Sequence, residues 1–235
     1  MISHLVPDAS ARGLRRVATV DLGVIRTHLE AELESDPDIV LDARADAYGH
    51  GLREVIDLAI GLGVGTVRVS PSEADRAGVR RSRLMTVDPA SRRLLRAEAY
   101  GIGADYSAMT LTSEVVASKP TEPGAGVSYG YTYRTERPTT LALVALGYAD
   151  GVPRLASNRA QVWIAGRLVP LVGRVAMDQF VADCADAVPE LGADVVVWGS
   201  RSAGHPTVID WAEWTNRDPL DLTAGIGPRV ERAWR

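Results

Sequence analysis

The sequence predicts two structural halves, an α/β half followed by an all-β half. In the first half, short apolar runs typical of buried strands alternate with segments whose apolar residues recur every three to four positions, as on one face of a helix. After about residue 105 the helical periodicity ends, and short β-rich runs follow, separated by turn signals such as Ala-Asp-Gly at 149–151. We therefore expect one domain at 1–105 and a second at 106–235.

Three parallel strands are predicted in the first half. A helix begins after Thr19 or Asp21, either of which can cap it, and its apolar residues over 22–33 fall at helical spacing. The predicted strands are 39–45, 64–70 and 84–87, with one helix at 52–62 and another beginning at 72–75. The order β-α-β-α-β with short connections predicts parallel strands joined by right-handed crossovers.

The second half is predicted to be a small β-barrel or sandwich. Its short β-rich runs are bounded by glycine and aspartate turn signals, and one segment, 208–215, has helical periodicity. The predicted strands are 109–118, 139–146, 161–165, 168–176 and 194–198.

Composition limits the class of protein. The formal net charge of −4 gives no support for a nucleic-acid partner, which would favour clustered basic residues. A single cysteine, Cys184, excludes an intramolecular disulfide and fits a reducing cytosol, and four dispersed histidines lack metal-ligand spacing. No apolar run approaches the ~20 residues of a membrane span, and the N-terminus lacks the pattern of a secretory signal. We expect a cytoplasmic protein with no membrane segment and no metal site.

The stretch 41–51 (L-D-A-R-A-D-A-Y-G-H-G) has the layout of an active-site strand. A short apolar run leads to a tyrosine and a Gly-His-Gly turn, and helical character follows at once. In α/β enzymes the carboxyl end of such a strand opens into a loop that carries the chemistry. We therefore expect Arg44, on this strand, and Tyr48, four residues later, at a functional site.

Several motifs resemble those of one enzyme family. Residues 43–51 (A-R-A-D-A-Y-G-H-G) resemble the pyridoxal 5′-phosphate (PLP) motif of alanine racemases, in which a lysine stands at the position of Arg44. Further matches follow in the same order, namely V-S-Y-G-Y-T-Y (127–133), L-G-Y-A-D-G-V-P-R (146–154), V-G-R-V-A-M-D-Q-F (172–180) and I-G-P-R-V (226–230). The resemblance implies a PLP-binding (β/α)₈ barrel followed by a β domain, in a head-to-tail homodimer whose sites join the two subunits.

The resemblance also implies roles for single residues. Arg44 takes the position of the lysine that forms the Schiff base with PLP and serves as one of the two bases. Tyr48 matches a tyrosine that contacts the cofactor phosphate, and it and His50 are the candidate cofactor-binding residues; alternatively, both fill and close the barrel mouth. Tyr129 matches the second acid/base, donated by the partner subunit, or is an ordinary interface aromatic. Met177 matches a residue whose backbone N–H helps to hold the substrate carboxylate.

Three features depart from the family pattern. The guanidinium group of Arg44 stays protonated and is neither an amine nucleophile nor a base, and the only lysine, Lys119, lies in the β-rich half. A complete (β/α)₈ barrel takes ~250 residues, whereas about 105 precede the β-rich half, enough for three or four β/α units. Leu220 stands where the family has an active-site tyrosine. We therefore expect an incomplete barrel followed by a β domain.

These departures leave several functions open. The first is a catalytically degenerate alanine racemase relative that acts by binding, as a homodimer or paired with a full-length racemase. The second is a residual PLP-dependent racemase for a small amino acid such as alanine, and the third is a protein that binds PLP or another anion without a covalent bond. An expressed fragment without selected function is the remaining alternative.

Overall fold

The computed structural model describes residues 13–75, 83–86, 92–103, 105 and 107–235. Its first half contains strands β1 (Val17–Val20), β2 (Val40–Asp42), β3 (Thr66–Arg68), β4 (Leu84–Met85) and β5 (Leu94–Leu95). The helices of this half are α1 (Leu22–Ser35) and α3 (Leu52–Gly61), and a short turn labelled α2 (Arg44–Tyr48) lies between them.

The two helices predicted at 22–33 and 52–62 are confirmed. The carboxylate of Asp21 caps α1 by accepting hydrogen bonds from the backbone N–H groups of Gly23 and Val24, at 2.9 Å and 3.3 Å. Helix α1 buries Ile25 and Leu29. Helix α3 buries an apolar face of four residues, Leu52, Val55, Ile56 and Ala59. The apolar faces of both helices pack in the hydrophobic core that also contains the buried residues of the sheet.

The first half forms a four-stranded parallel sheet in the order β4-β3-β2-β5. Its parallel pairing confirms the prediction, but the predicted strand 39–45 is too long, because β2 ends at Asp42. Arg44 therefore lies beyond the strand. Ala45, Asp46, Ala47 and Tyr48 all have left-handed φ angles between 52° and 59°, which end the extended chain. The end of the strand predicted at 84–87 and most of the helix expected after 72–75 lie outside the described residues.

The second half contains strands β6 (Met109–Thr121), β7 (Gly126–Val127), β8 (Tyr133–Arg134), β9 (Thr139–Val144), β10 (Gln161–Ile164), β11 (Arg167–Val172), β12 (Phe180–Asp183), β13 (Asp194–Trp198) and β14 (Glu231–Trp234), and helices α4 (Val208–Thr215) and α5 (Pro219–Ala224). Six strands close into an antiparallel barrel in the order β6-β13-β10-β11-β12-β9, with β9 pairing back to β6. A barrel is one of the two predicted architectures, and closure leaves its six strands without an open edge.

One helix and six strands were not predicted; of these strands β5, β7 and β8 have only two residues each. The sequence indicated a single helix after residue 105, but α5 follows α4, with Asp218 as its cap and Pro219 in its first turn. At six residues, α5 is too short to show helical periodicity. Strands β1, β12 and β14 have four residues each. The pairing partners of β1 and β14 are distant in sequence.

The C-terminal segment joins the two halves of the molecule. Strand β1 pairs antiparallel with β6 and parallel with β14, so it extends the larger sheet. The side chains of Arg232 and Trp234, on β14, donate hydrogen bonds to the backbone oxygens of Gly49 and His50, at 3.0 Å and 2.8 Å. A Cβ atom at Gly51 would lie 2.7 Å from Nε1 of Trp234, so glycine is required there. The Gly-His-Gly turn is therefore fastened to the end of the chain.

Within the described residues, no helix has the length and apolar character to cross a membrane.

Candidate functional site

Asp42 and Arg44 form a bidentate ion pair at the carboxyl end of β2. Nε and Nη2 of Arg44 donate to the Asp42 carboxylate at 2.8 Å and 2.6 Å. The hydroxyl of Tyr48 donates to the same carboxylate at 2.8 Å and accepts a hydrogen bond from Arg44 at 3.3 Å. Arg44 and Tyr48, which the sequence predicted as site residues, therefore both bind Asp42, which was not predicted.

The electrostatics of this group favour its charged form. Burial alone would raise the pKa of Asp42, but the hydrogen bonds from Arg44 and Tyr48 outweigh it and lower the pKa below its ordinary value. Hydrogen bonding to Asp42 raises the pKa of Arg44 in turn. Burial and the bond to Asp42 raise the pKa of Tyr48. Asp42 is therefore an ionised carboxylate held inside the protein by cations and a hydroxyl.

Two more arginines reach the same carboxylate. Nη1 of Arg68, from the end of β3, lies 3.6 Å from Oδ2 of Asp42, and Nε of Arg96, just after β5, lies 3.4 Å from it. The hydroxyl of the buried Tyr100 donates to the backbone oxygen of Asp42 at 2.8 Å. Because β3, β2 and β5 are parallel neighbours, their carboxyl ends bring these side chains to one edge of the sheet.

The left-handed turn after Arg44 is held by specific hydrogen bonds. A left-handed backbone conformation costs roughly 1–2 kcal/mol for each residue other than glycine. The backbone N–H of Asp46 donates to the Glu73 carboxylate at 2.7 Å, and the Asp46 carboxylate accepts from Leu52 N at 2.9 Å. Glu73 also accepts from the backbone of Ser70 at 3.0 Å. Backbone strain of this kind is typical of functional sites.

His50 is fully buried beside this turn. Its Nδ1 lies 2.9 Å from the backbone oxygen of Ala47, and its ring stacks on Tyr100 with 4.5 Å between ring centroids. Burial lowers the pKa of His50 to about 4, so the side chain is neutral at physiological pH. This environment fits the interpretation in which His50 closes the mouth of the sheet, and its cofactor-binding role stays a prediction.

Tyr129 lies on an exposed and strained loop of the second half. Its side chain is 72% exposed. Ser128 has φ 59° and ψ −167°, a backbone conformation that residues other than glycine rarely adopt. Tyr131 has a positive φ of 46°. Asn158 braces the loop, since its Nδ2 donates to Thr132 Oγ1 at 3.2 Å and its Oδ1 accepts from the N–H of Gly173 at 2.6 Å.

Met177 lies on a neighbouring loop that packs against the turn around Tyr148. Met177 is 52% exposed, and its backbone oxygen accepts from the N–H of Ala149 at 3.0 Å. Arg229 links the two loops, since it lies 3.1 Å from the buried Asp150 and 2.6 Å from Asp178. These contacts fix the backbone beneath Met177. Among the described residues, the hydrogen-bond partners of the Arg44 side chain are Asp42 and Tyr48, and neither belongs to the Met177 loop.

The residues present do not fit covalent attachment of PLP. The resemblance places the Schiff-base lysine at Arg44, whose guanidinium is bound to a buried carboxylate. Lys119 is exposed on β6 of the barrel, opposite Leu141 of β9, and does not belong to the sheet that carries Arg44. Among the described residues, no group of three or more histidine, cysteine, aspartate or glutamate side chains could hold a metal ion.

Two cavities are lined neither by Asp42 nor by the side chains that contact it. One, of about 470 Å³, is bordered by Tyr133, Arg167 and Asp183 and contains none of the predicted site residues. The other, of about 320 Å³, lies between Tyr148 and Asp221.

Sequence reasoning missed Asp42, although a signal for it was present. On the predicted strand 39–45, alternate residues would point to the same side and place Asp42 beside Arg44; the strand itself ends at Asp42, and the pair forms across the turn that follows. Arg68 also stood near the end of the predicted strand 64–70, and ligand-binding residues collect at such strand ends. Arg96 was recognisable only as one of several arginines before Tyr100, because β5 has two residues and gives no periodic signal.

The chain is similar in sequence to curated alanine racemases. It is 47% identical to the alanine racemase of Thermobifida fusca (strain YX) over 127 residues, which cover 54% of this chain and 34% of that protein. It is 42% identical to the alanine racemase of Streptomyces coelicolor over 137 residues, covering 57% of this chain and 35% of that protein. These matches span about a third of the length of the relatives.

Solved structures of alanine racemases have the same fold. One from a D-cycloserine-producing Streptomyces lavendulae superposes with a TM-score of 0.86 at 22% identity, covering 95% of this chain and 98% of that one. One from Streptomyces coelicolor A3(2) gives a TM-score of 0.81 at 24% identity, covering 97% and 99%. At these identities the structural likeness shows the fold alone.

The family model described as "Alanine racemase, C-terminal domain" matches residues 108–234, more than half of the chain. This range begins one residue before β6 and ends with the last residue of β14, so it contains the whole closed barrel. The chain therefore belongs to the alanine racemase C-terminal domain family.

Proposed function

We propose that this protein is a catalytically degenerate relative of the alanine racemases that acts by assembly. It pairs with a second copy of itself or with a full-length racemase, and its barrel presents Tyr129 and Met177 to the partner's site. One observation supports the proposal most directly. The barrel is closed and leaves Tyr129 exposed, whereas Arg44 is bound to Asp42 of the same chain. A small amino acid at the joined site is part of this proposal by resemblance.

The arginine at position 44 supports the loss of catalysis. A racemase of this family needs a neutral amine at that position, and a guanidinium group is not one. The bidentate bond to Asp42 stabilises the charged form further. Loss of a covalent nucleophile lowers enzymatic rates by orders of magnitude.

The second half supports the assembly role. Tyr129, Tyr131 and Met177 are large side chains left exposed on strained or tightly braced loops. Aromatic residues and methionine are enriched in protein interfaces, and rigid loops lose little conformational entropy when they bind. The surface is therefore suited to contact a partner.

Assembly is tested by size-exclusion chromatography with light scattering. The protein is run alone and mixed with a full-length alanine racemase, and we expect a dimer in at least one case. Tyr129→Ala should weaken the association, while Leu191→Ala, which truncates another exposed apolar side chain, should not. A strict monomer in both runs would rule out the proposal.

Complementation in trans is the sharper test. A full-length racemase is made inactive by replacing its own tyrosine at the position that matches Tyr129. Added wild-type protein should restore measurable D-alanine formation from L-alanine, and protein with Tyr129→Phe should not. Equal activity with both proteins would mean that Tyr129 has no part in a joined site.

Residual racemase activity of this chain is the alternative, and it has a direct test. After treatment with PLP and borohydride, we expect no adduct at residue 44, since a guanidinium group offers no amine, and any label should lie on exposed amines such as Lys119. A mass increase mapped to one residue, together with racemisation by the protein alone, would favour the alternative.

A further inference from the structure

The larger cavity has the size of a ligand site and is bordered by three separate segments of the barrel domain. Its volume of about 470 Å³ lies within the range of roughly 300–1,000 Å³ for small-molecule pockets. Tyr133 lines it from β8, Pro170 from β11 and Cys184 from the residue after β12. Among the described residues that border it, none is a predicted PLP-site residue. The cavity is therefore a candidate ligand site that the family motifs did not predict.

Hydrogen bonds hold one side of this cavity in place. The Tyr133 hydroxyl donates to Oδ2 of Asp183 at 2.9 Å. Oδ1 of the same carboxylate accepts from the hydroxyl of Thr139 and from the backbone N–H of Ala185, the latter at 3.0 Å. Burial and the bond to Asp183 raise the pKa of Tyr133 to about 12, so the hydroxyl stays protonated. This side of the cavity is ordered before a ligand binds, which lowers the entropic cost of binding.

Two neighbouring side chains of opposite charge border the cavity and lack partners. Glu136 and Arg137 are exposed, and neither side chain makes a hydrogen bond or ion pair with another described residue. The charges of both act on the Tyr133 hydroxyl, so both lie near the ordered side of the cavity. A ligand in the cavity therefore has access to one carboxylate and one guanidinium group that are not bonded within the described structure.

The charges around the cavity limit the class of ligand. Arg167 donates to Asp186 through Nη1 at 2.8 Å, which leaves its Nε and Nη2 groups unbonded to described residues. The charged groups are Arg137, Arg167, Glu136, Asp183 and Asp186, so two positive charges face three negative ones and the formal sum is −1. A simple carboxylate would make this sum −2, and a simple cation would offer the arginines no acceptor. A zwitterion leaves the sum unchanged and supplies partners to both kinds of group.

The rest of the lining is apolar. Leu168 and Pro170 border the cavity from β11, and Leu168 is 47% exposed. We propose that the cavity binds a zwitterion with a large apolar side chain, of the chemistry of a free aromatic or branched-chain amino acid. Its carboxylate accepts from Arg137 and Arg167, and its ammonium group donates to Glu136. Its side chain packs against Leu168 and Pro170. This inference does not depend on assembly with a racemase.

Isothermal titration calorimetry with L-phenylalanine and with L-leucine tests the site. The comparison titrants are 3-phenylpropionate, which lacks the ammonium group, phenethylamine, which lacks the carboxylate, and glycine, which lacks the apolar side chain. We expect saturable binding of at least one of the two amino acids, and binding about tenfold weaker or more for each comparison titrant. Absence of binding for both amino acids, or equally tight binding of any comparison titrant, would overturn the proposal.

Matched variants locate the binding. Arg137→Gln and Glu136→Gln should each weaken binding of the amino acid by about tenfold, the range expected for one charge-assisted hydrogen bond. Because both side chains are exposed and unbonded to described residues, neither change should alter folding, which circular dichroism checks. Arg26→Gln is the control. Arg26 pairs with Glu30 on α1 and does not border the cavity, so the affinity should stay within about twofold. Unchanged affinity in both test variants, or an equal loss in the control, would overturn the assignment.

Discussion

The carboxylate of Asp42 accepts both arms of the Arg44 guanidinium, at 2.8 Å and 2.6 Å, in a position without solvent exposure. Buried ion pairs of this kind often add little to stability relative to an apolar pair, because both charges lose hydration. Removing one partner of the pair is strongly destabilising, because the other charge is then left without a counterion. Asp42 is therefore both the feature that orients Arg44 and a point at which the fold is vulnerable.

Asp42→Asn should destabilise the protein substantially. We expect the free energy of unfolding, measured by urea titration at pH 7, to fall by about 3 kcal/mol, the lower end of the range for breaking a buried pair, because Arg44 and Arg96 can still reach water. Asp57→Asn is the control. Asp57 pairs with Arg53 on the exposed side of α3, at 3.5 Å, and its loss should cost less than about 1 kcal/mol. Similar losses in both variants would contradict this account of Asp42.

His50 should make the fold sensitive to mild acid. Burial lowers its pKa from 6.5 to about 4, so between these values the unfolded chain binds a proton that the folded chain does not. The stability that the neutral form contributes is complete above pH 6.5 and declines as the pH falls towards 4, by about 3 kcal/mol over the whole window. The measurement compares urea unfolding of wild type and His50→Gln at pH 7.5, 5.5 and 4.5. The wild type should lose more stability than the variant, and parallel pH profiles would contradict the prediction.

Much of the architecture follows from local pattern. The buried stripes of α1 and α3, the parallel sheet and the β-rich second half were all predictable, because each depends on spacing within about a dozen residues. Strand β1 was not, because Thr19 pairs with Thr110 on one side and Ala233 on the other. Four residues provide no periodic signal, and their strand character comes from partners far along the chain.

The site was only partly predictable for the same reason. Arg44 and Tyr48 stood out through a motif, but the group around them is assembled from three separate strand ends. The left-handed turn at 45–48 could not be read from its composition, since alanine and tyrosine have no preference for that conformation. Its support comes from Glu73, 27 residues after Asp46.

Ser128→Gly should separate stability from assembly. Glycine adopts the backbone conformation of Ser128 without strain, so we expect the free energy of unfolding to rise by about 1 kcal/mol. The freed loop should hold Tyr129 less firmly and weaken the proposed association, measured by light scattering over a dilution series. Ser200→Gly is the matched control, because Ser200 has an ordinary φ of −91° and glycine there should lower stability slightly. A destabilised Ser128→Gly protein would show that the loop is not strained.

Arg229 should act on assembly through the loops that it joins. Its guanidinium bridges the buried Asp150, below Tyr148, and Asp178, next to Met177. Arg229→Gln removes both of these ion pairs, while Asp150 keeps its hydrogen bond from Gly147 N, at 2.8 Å, and its ion pair with Arg16, at 3.6 Å, so the barrel should still fold. If the proposed assembly uses Met177, the dissociation constant should rise several-fold, because the loop is no longer fixed before binding.

The control for Arg229 is an arginine on another face of the same domain. Arg167 pairs with Asp186 at 2.8 Å, beside the larger cavity and away from Met177. Arg167→Gln should leave association unchanged, as judged by sedimentation velocity of both variants at matched concentrations. A weakened Arg229→Gln association with an unchanged melting temperature separates loop positioning from global destabilisation. Unchanged association of Arg229→Gln would remove Arg229, and the loop that it fixes, from the proposed interface.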